Sequence, residues 1–492
     1  MNALVVLPVL LPLAAMLCSV FTLRQRAWQE RLSLGGAGVL VLAACLLFWQ
    51  VMVRGTLEIT LGGWPAPYGI LFRIDLLSAL MVLVTALMAW ITLLYMKSGV
   101  ERLSPHPLSL PLIHGMIAGV CGAFCTADLF NLYVWYEVML VCALGLLALG
   151  GRILQLDAVF KYFAPNLFGT LLLLMAVGLI YAATGHLQFD ALHQSSTVLP
   201  EAVLTALLTI LLLALLIKSA AFPLYAWLPA AYPALPVPVM ALFAGLLTKV
   251  GTYAILRLNG GVFASPEALM EGLGWIAVAT MVAGVLGAAY HWDIRRILAF
   301  HIISQIGYIF LAIALGGLAR DSAGAQAAYG AALFYTVHHI IVKANLFLLA
   351  GFVLNNTGSF DLRKIGGLAG SKPLLALIFA VPVLSLVGIP PLSGFWAKLL
   401  VIREAFAQER LLWAAAALAV SGLTLYSMMK IWMEAFWKPH PDGKPENEAD
   451  TPLLPAWISV TMLSAITMLL GFFPQALLTV SVQAVRIMAG IP

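Results

Sequence analysis

Charge is what this chain has least of. Only 10% of its 492 residues are Asp, Glu, Lys or Arg, while 63% are hydrophobic. A soluble domain carries about 25% charged residues, so a water-soluble globular fold is excluded. The net charge of +5 falls in short loops between apolar runs, where basic residues set membrane orientation; no nucleic-acid surface is implied. Cysteine is scarce, and Cys18, Cys45, Cys121, Cys125 and Cys142 all lie in apolar segments. Cys121 and Cys125 stand one helical turn apart, but no histidine or carboxylate completes a metal set, and they read as small core residues. Long polar stretches are missing except for Lys438–Pro452, which is expected to be a flexible loop. The first residues, MNALVVLPVLLPLAAMLCSVFTLRQR, have no basic segment before the apolar run and are expected to form a retained span, not a cleaved signal. Signatures of membrane-embedded catalysis are also missing: no HExxH, no paired intramembrane aspartates, no Ser/His arrangement on facing helices. Neither an enzyme nor a metal or cofactor site is expected.

What is present is apolar sequence of spanning length, repeated. A window of about nineteen residues gives roughly fourteen spans, at 3–22, 33–53, 74–96, 109–126, 129–150, 164–184, 202–228 (broken), 235–257, 272–291, 294–317, 328–353, 371–408 (broken), 411–435 and 455–475. The fold class is therefore an all-α polytopic membrane protein. Lysine and arginine crowd the odd-numbered loops, at Arg24, Arg26, Arg31, Lys97, Arg102, Arg152, Lys161, Arg295, Arg296, Arg363, Lys364, Lys372, Lys438 and Lys444. The even-numbered loops hold only Arg54, Arg73, Arg257, Arg320 and Arg410. The positive-inside rule puts the odd loops in the cytoplasm, and an even number of spans then puts both termini outside.

The stretch from Val203 to Arg257 organises the chain. It begins as an apolar helix and presents Lys218 after about fifteen residues, roughly 22 Å of rise, which is inside a hydrocarbon core about 30 Å thick. Pro223 follows five residues later and should break the helix beside the lysine. Open backbone at that depth is tolerated only inside protein or along a wet cavity. A second interruption is expected at Gly388, Pro390, Pro391 and Gly394, with Lys398 about a turn beyond. Paired interrupted spans point to an inverted repeat with a site at its centre. The expected division is 1–108 (spans 1–3), 109–258 (spans 4–8), 270–436 (spans 9–13) and 437–492 (a loop and span 14).

An ionisable residue at mid-membrane costs about 2.5–3.5 kcal/mol on the insertion scale, and this chain has several. Glu137 lies in FNLYVWYEVMLVCAL, and its natural partner is Lys218. With Glu137 close, Lys218 holds its charge; with Glu137 withdrawn, desolvation favours release of the proton. The bland alternative is a static ion pair. Lys249, in GLLTKVGTYAILR, can take a proton through water or snorkel to the surface. His339 and Lys343 are i,i+4 on one helix face in FYTVHHIIVKANLFL, and His338 is turned about 100° away. Imidazole suits a relay near neutral pH, although a lone buried histidine is more often a satisfied core residue. Lys398 reads as an entry or exit group, or as an interfacial anchor, because Arg403 and Glu404 are close in sequence. His338 and His301 are secondary relay candidates. Asp128, Lys161, His291, Asp293, Arg295 and Arg296 lie near span ends and read as anchors or paired charges. The residues together suit a horizontal proton relay inside a membrane.

The strings TADLFNLYVWYEVMLV (126–141), IKSAAFPLYAWLPAAYPALPVP (217–238), ALFAGLLTKVGTYAILR (241–257), DIRRILAFHIISQIGYI (293–309) and VHHIIVKANLFLLAG (337–351) resemble the antiporter-like subunits shared by complex I and the multisubunit Mrp cation/proton antiporters. The resemblance covers nearly the whole chain and is strongest to the Mrp branch. It implies a fourteen-helix fold with inverted five-helix repeats and broken helices 7 and 12. It implies that Glu137 and Lys218 match the family's functional pair, Lys249 the lysine of helix 8, His339 and Lys343 the His and Lys of helix 11, and Lys398 the ionisable group of helix 12. One complex I subunit type has glutamate at that last position, and some relatives have a histidine where this chain has Tyr335. The implied function is secondary transport, protons entering as Na+ or K+ leaves. It would operate within a hetero-oligomer of Mrp subunits in the cell's inner (plasma) membrane.

Two other functions remain open. One is a proton-pumping subunit driven by redox chemistry, in a complex I or membrane-bound hydrogenase. The other is a scaffold that transports nothing. A hard alkali cation wants several oxygens, and no cluster of intramembrane carboxylates supplies them, so the cation path is expected in another subunit or at an interface.

Overall fold

In hydrocarbon a backbone must satisfy its own polar groups, and runs of Leu, Ala, Met and Val do so as helices. The computed structural model, which describes residues 2–64, 69–100, 106–441, 443 and 454–490, follows that rule. In chain order the helices are α1 (Leu7–Phe21), α2 (Arg26–Arg54), α3 (Leu76–Met96), α4 (Ser109–Cys125), α5 (Leu129–Ala148), α6 (Ile153–Thr184), α7 (Phe189–Ser196), α8 (Glu201–Lys218), α9 (Trp227–Ala231), α10 (Val237–Leu242), α11 (Thr248–Arg257), α12 (Glu267–Tyr290), α13 (Ile294–Leu318), α14 (Ser322–Thr357), α15 (Leu368–Ser371), α16 (Pro373–Val387), α17 (Ser393–Ala407), α18 (Leu411–Trp432), α19 (Leu454–Phe472) and α20 (Pro474–Met488). A π-helical turn, Phe243–Leu247, joins α10 to α11, and a second, Leu258–Val262, extends α11. Among the described residues, eleven helical segments are long and apolar enough to cross a membrane, counting Val237–Val262 as one; α1, α4 and α16 are shorter apolar helices. Each segment expected from hydropathy falls on one or more of these helices. Most of the expected polar loop, including Lys444, lies outside the described residues, as does Arg102.

Aspartates start several helices. Asp75, Asp128, Asp293 and Asp321 accept backbone N–H bonds of 2.7–2.9 Å at the first turns of α3, α5, α13 and α14, each cap worth about 1 kcal/mol. Gly185 and Gly358 end α6 and α14 in the left-handed region, both at φ +73°, where a Cβ is disfavoured.

Helix α14 runs through the centre and packs on α10, α13, α16, α17, α19 and α20. It is buried almost throughout, as are α3, α13 and Val237–Val262. The outer helices expose apolar side chains: Leu42 on α2 is 71% exposed and Phe160 on α6 is 73%. Such surface suits lipid and not water. Both interrupted spans are present. After Lys218 the chain is non-helical until Trp227, passing Ala220 at φ +59° and a cis Phe222–Pro223 bond. Part of its open backbone is satisfied from outside: Phe222 N donates to the Thr280 hydroxyl of α12 at 3.0 Å. After Val387 the second break runs through Gly388 and a cis Pro390–Pro391 bond to Ser393.

Two backbone stitches have the same form. Leu129 N donates to Leu187 O and Phe189 N to Ala127 O, both at 2.9 Å. Ile294 N donates to Phe360 O and Leu362 N to Trp292 O, both at 3.0 Å. Each ties the start of a long helix (α5, α13) to the loop before an interrupted span.

The fold departs from the expectations in three places. Strands β1 (Leu57–Thr60) and β2 (Leu71–Ile74) form an antiparallel hairpin where only a loop was expected. Arg73 on β2 ties it to α7 through Asp190 and to Glu58, the latter at 2.5 Å. Beyond α19 the chain forms an amphipathic helix, α20, laid against α14 and α3, with Arg486 Nε donating to Gln326 Oε1 at 2.7 Å. Finally, Arg257 is not a loop residue. The π turn carries its helix onward, and the buried guanidinium pairs with Asp75 and donates to Ser78 Oγ and to the Tyr253 hydroxyl, both at 2.9 Å. Removing Arg257 from the even-loop count sharpens the charge asymmetry.

Candidate functional site

Lys218 is the last residue of α8, where the broken span stops. Its side chain is folded inward and almost fully buried. Nζ donates to Thr170 Oγ1 at 2.6 Å and to Asn166 O at 3.1 Å, both on α6, and lies 5.6 Å from the centre of the Tyr136 ring. Thr170 Oγ1 in turn donates to Glu137 Oε1 at 2.8 Å. Glu137 and Lys218, expected to be partners, are therefore joined through Thr170 and not by direct contact. A hydroxyl stands between them, because Asn166 and Thr170 are one turn apart on α6 and both face α8. Glu137 itself is only half-buried. A cavity of about 20 Å³, room for one water, is lined by Tyr136, Asn166, Lys218, Trp227 and Leu247, among others. Leu247 belongs to the π turn that precedes Lys249.

Lys249 does not snorkel. It is fully buried, and Nζ turns back to Ala244 O at 2.5 Å and Thr248 Oγ1 at 3.2 Å. Single π turns inside α-helices are frequent at functional sites, and this one supplies the carbonyl that holds the lysine. Across from it on α14, His339 is fully buried with neither ring nitrogen hydrogen-bonded among the described residues. Buried polar groups are almost always paired, and no protein partner among the described residues fixes the tautomer of this imidazole. It lies within electrostatic range of Lys249, Lys343, His338 and His301. Among the described residues Lys343 reaches one distant carbonyl, Leu298 O at 3.4 Å, and interacts with Lys249 and Lys398.

At the second break Lys398 is buried, not interfacial. Nζ donates to Val387 O, the last carbonyl of α16, at 2.8 Å and to Ser421 Oγ at 3.0 Å, and lies 5.4 Å from the Tyr308 ring centre. Gly388, at φ +96°, leaves room for it: a Cβ there would sit 3.1 Å from Lys398 Cδ. His338 Nδ1 pairs with Ser393 Oγ at 2.9 Å, at the first residue of α17. His301 Nε2 pairs with Ser427 Oγ at 2.7 Å while Nδ1 has no partner among the described residues. Tyr335 stacks on Tyr308 and donates to Gln305 Oε1 at 2.5 Å.

Lys249, His339, Lys343, His338, Lys398 and His301 thus form one electrostatic cluster, while Lys218 faces Glu137. Thr170, Asn166, Ser393, Ser421 and Ser427 were not among the expected site residues. A polar pair four residues apart in the apolar helix α6 was the available signal for the first two. Lys430 was not expected either; its Nζ donates to Ala289 O and His291 O, both at 2.6 Å, at the end of α12. The span-end residues behave as anchors or caps: Asp128 and Asp293 cap helices, Lys161 pairs with Asp157 at 2.5 Å, Arg295 with Asp293 at 2.8 Å, and His291 stacks on Phe300.

Known proteins resemble this chain over nearly its whole length. Residues 126–424 match the membrane-spanning family described as NADH:quinone oxidoreductase/Mrp antiporter. A Na(+)/H(+) antiporter subunit of Alkalihalophilus pseudofirmus is 38% identical over 98% of this chain and 96% of its own length. Among solved structures, a chain of the Mrp complex from Dietzia sp. superposes with a TM-score of 0.89 at 32% identity, covering 99% of this chain and 97% of that one. A chain of respiratory complex I from Thermus thermophilus superposes with a TM-score of 0.83 at 25% identity, covering 99% and 100%.

Proposed function

We propose a function from this premise: the chain belongs to the NADH:quinone oxidoreductase/Mrp antiporter family of membrane-spanning subunits. It is a membrane subunit of a monovalent cation/proton antiporter, working in a hetero-oligomer with other Mrp subunits. Its part in that complex is to relay protons along Glu137, Lys218, Lys249, His339, Lys343 and Lys398, with His338 and His301 as side members, so that proton entry drives Na+ or K+ efflux. One observation carries this reading: the hydrogen-bonded series Lys218–Thr170–Glu137 beside an interrupted helix. An ammonium and a carboxylate separated by a group that both accepts and donates can exchange a proton through it.

The half-burial of Glu137 supports the hetero-oligomer. A carboxylate at membrane depth is too costly to face lipid, so a neighbouring subunit covers that face. The likeness to complex I favours the redox-driven pump as the second reading, at the lower of the two identities.

The inverted repeat, 109–258 and 270–436, is supported by the two matching stitches, one at loops 4 and 6 and one at loops 9 and 11. Both termini outside, in the inner (plasma) membrane, is the orientation that the charge asymmetry supports.

The test uses the full operon. In inverted vesicles, Na+ or K+ dissipates an imposed pH gradient in wild type, and Glu137→Ala and Lys218→Ala assemble but do not respond. Normal transport in either variant would make the pair structural. A wild-type complex that ignores both cations would move the redox pump to first place.

A further inference from the structure

We propose that Thr170 is a member of the proton path, the group through which Glu137 and Lys218 exchange a proton without touching. The inference rests on the relay reading above and goes beyond it, because the relay alone would put the two charges in direct contact. Three facts place the hydroxyl there. It accepts from Lys218 Nζ at 2.6 Å and donates to Glu137 Oε1 at 2.8 Å. Thr170 is buried, on a helix whose backbone carbonyl at Asn166 holds the same ammonium at 3.1 Å. Among the described residues Glu137 and Lys218 form no direct ion pair, and each has a hydrogen bond to the same oxygen.

The step balances without any other reactant. The Lys218 ammonium gives one proton to Thr170 Oγ1 as that oxygen gives its own to Glu137 Oε1. The N–H and O–H bonds broken equal the two O–H bonds formed. The products are a neutral amine and a neutral carboxylic acid; the reverse step restores the two charges. Neither heavy atom moves far, so the exchange requires no swing of a long side chain through the hydrocarbon. The reverse step re-forms the Lys218 ammonium, whose end meets the one-water cavity through which a proton leaves toward the π turn and Lys249 once that amine is free to accept it.

A purely structural threonine would serve as a spacer, and a valine of the same shape would serve as well. The test compares Thr170→Val and Thr170→Ser in the complete complex, with Glu137→Gln as reference, reading assembly, maximal rate of cation-driven proton movement and half-saturating Na+ concentration. The expected result is an assembled Thr170→Val complex whose maximal rate falls about tenfold or more at an unchanged half-saturating concentration, and Thr170→Ser close to wild type. A Thr170→Val rate equal to wild type, with Glu137→Gln inactive, overturns the proposal and leaves the relay standing. Wild-type rates in both overturn the relay itself. If Thr170→Val fails to assemble, Thr170→Ala decides: it leaves space for water to bridge the pair, and its rate lies between those of Thr170→Ser and Glu137→Gln, whereas wild-type transport from it overturns the proposal.

Discussion

His339 gives the sharpest division between stability and transport. Among the described residues its ring nitrogens have no protein partner, and an unmade buried hydrogen bond costs about 1–3 kcal/mol. Replacing it with phenylalanine removes that cost. The variant is expected to keep, or slightly raise, the amount of assembled complex on native gels while abolishing cation-dependent proton movement. Asp75 is the opposite case. Its carboxylate neutralises buried Arg257, and removing one partner of such a pair costs about 3–5 kcal/mol. Asp75→Ala should lower the assembled complex severely, and joint replacement of both residues by apolar ones should restore much of it. Gly388→Ala combines backbone and site: a side chain at φ +96° crowding Lys398 Cδ costs about 1 kcal/mol or more and displaces the ammonium, so transport should fall further than assembly does. The sequence disclosed Lys218, Lys249 and Lys398 but not the hydroxyls and carbonyls that hold them, and it did not single out Asp75. Pro223 announced the break beside Lys218 because proline acts locally. Thr170 went unseen because the facing of α6 toward α8 is a tertiary fact, and Arg257 was misread because LNGG looks like a loop and is a π turn.

At the level of elements, hydropathy located the apolar helices because lipid leaves a buried chain one choice of backbone. It failed where the helix is amphipathic and laid on protein: α20 alternates apolar and polar residues and finds its partner in α14, 117 residues or more away in sequence. The β1–β2 hairpin was equally hidden, since β1 and β2 are four residues each. Its tie to α7 lies outside the spans and titrates. The Arg73 hydrogen bond holds the Asp190 carboxyl below its usual range. A depressed carboxylate contributes stability above its unfolded value, about 3.9, and loses it as pH falls through the folded value. Asp190 is 62% exposed, so the contribution is about 1 kcal/mol or less after solvent screening. Hydrogen exchange in α7, corrected for intrinsic rates, should quicken at acid pH, and Arg73→Ala should remove that dependence.

For the whole molecule, the order of loops was legible from lysine and arginine alone, and the contacts agree with it. Asp128 bridges Gln188 and Arg73 reaches Asp190, joining even loops; Asp293 bridges Asp361, joining odd ones, and Lys430 near the end of α18 reaches His291 beside them. Cysteines introduced near each terminus should react with an impermeant reagent added outside intact cells, and labelling only after lysis would reverse the orientation. The hydrogen bonds inside the membrane also have a consequence for the cell. Lys218 is tied to Thr170, Lys249 to Ala244, His338 to Ser393 and Lys398 to Val387; among the described residues, no bond joins one of these groups to the next. A proton therefore crosses each gap only when a side chain swings or water enters, and a cell that holds the protein in this conformation with those gaps dry keeps the gradient that feeds its other machines.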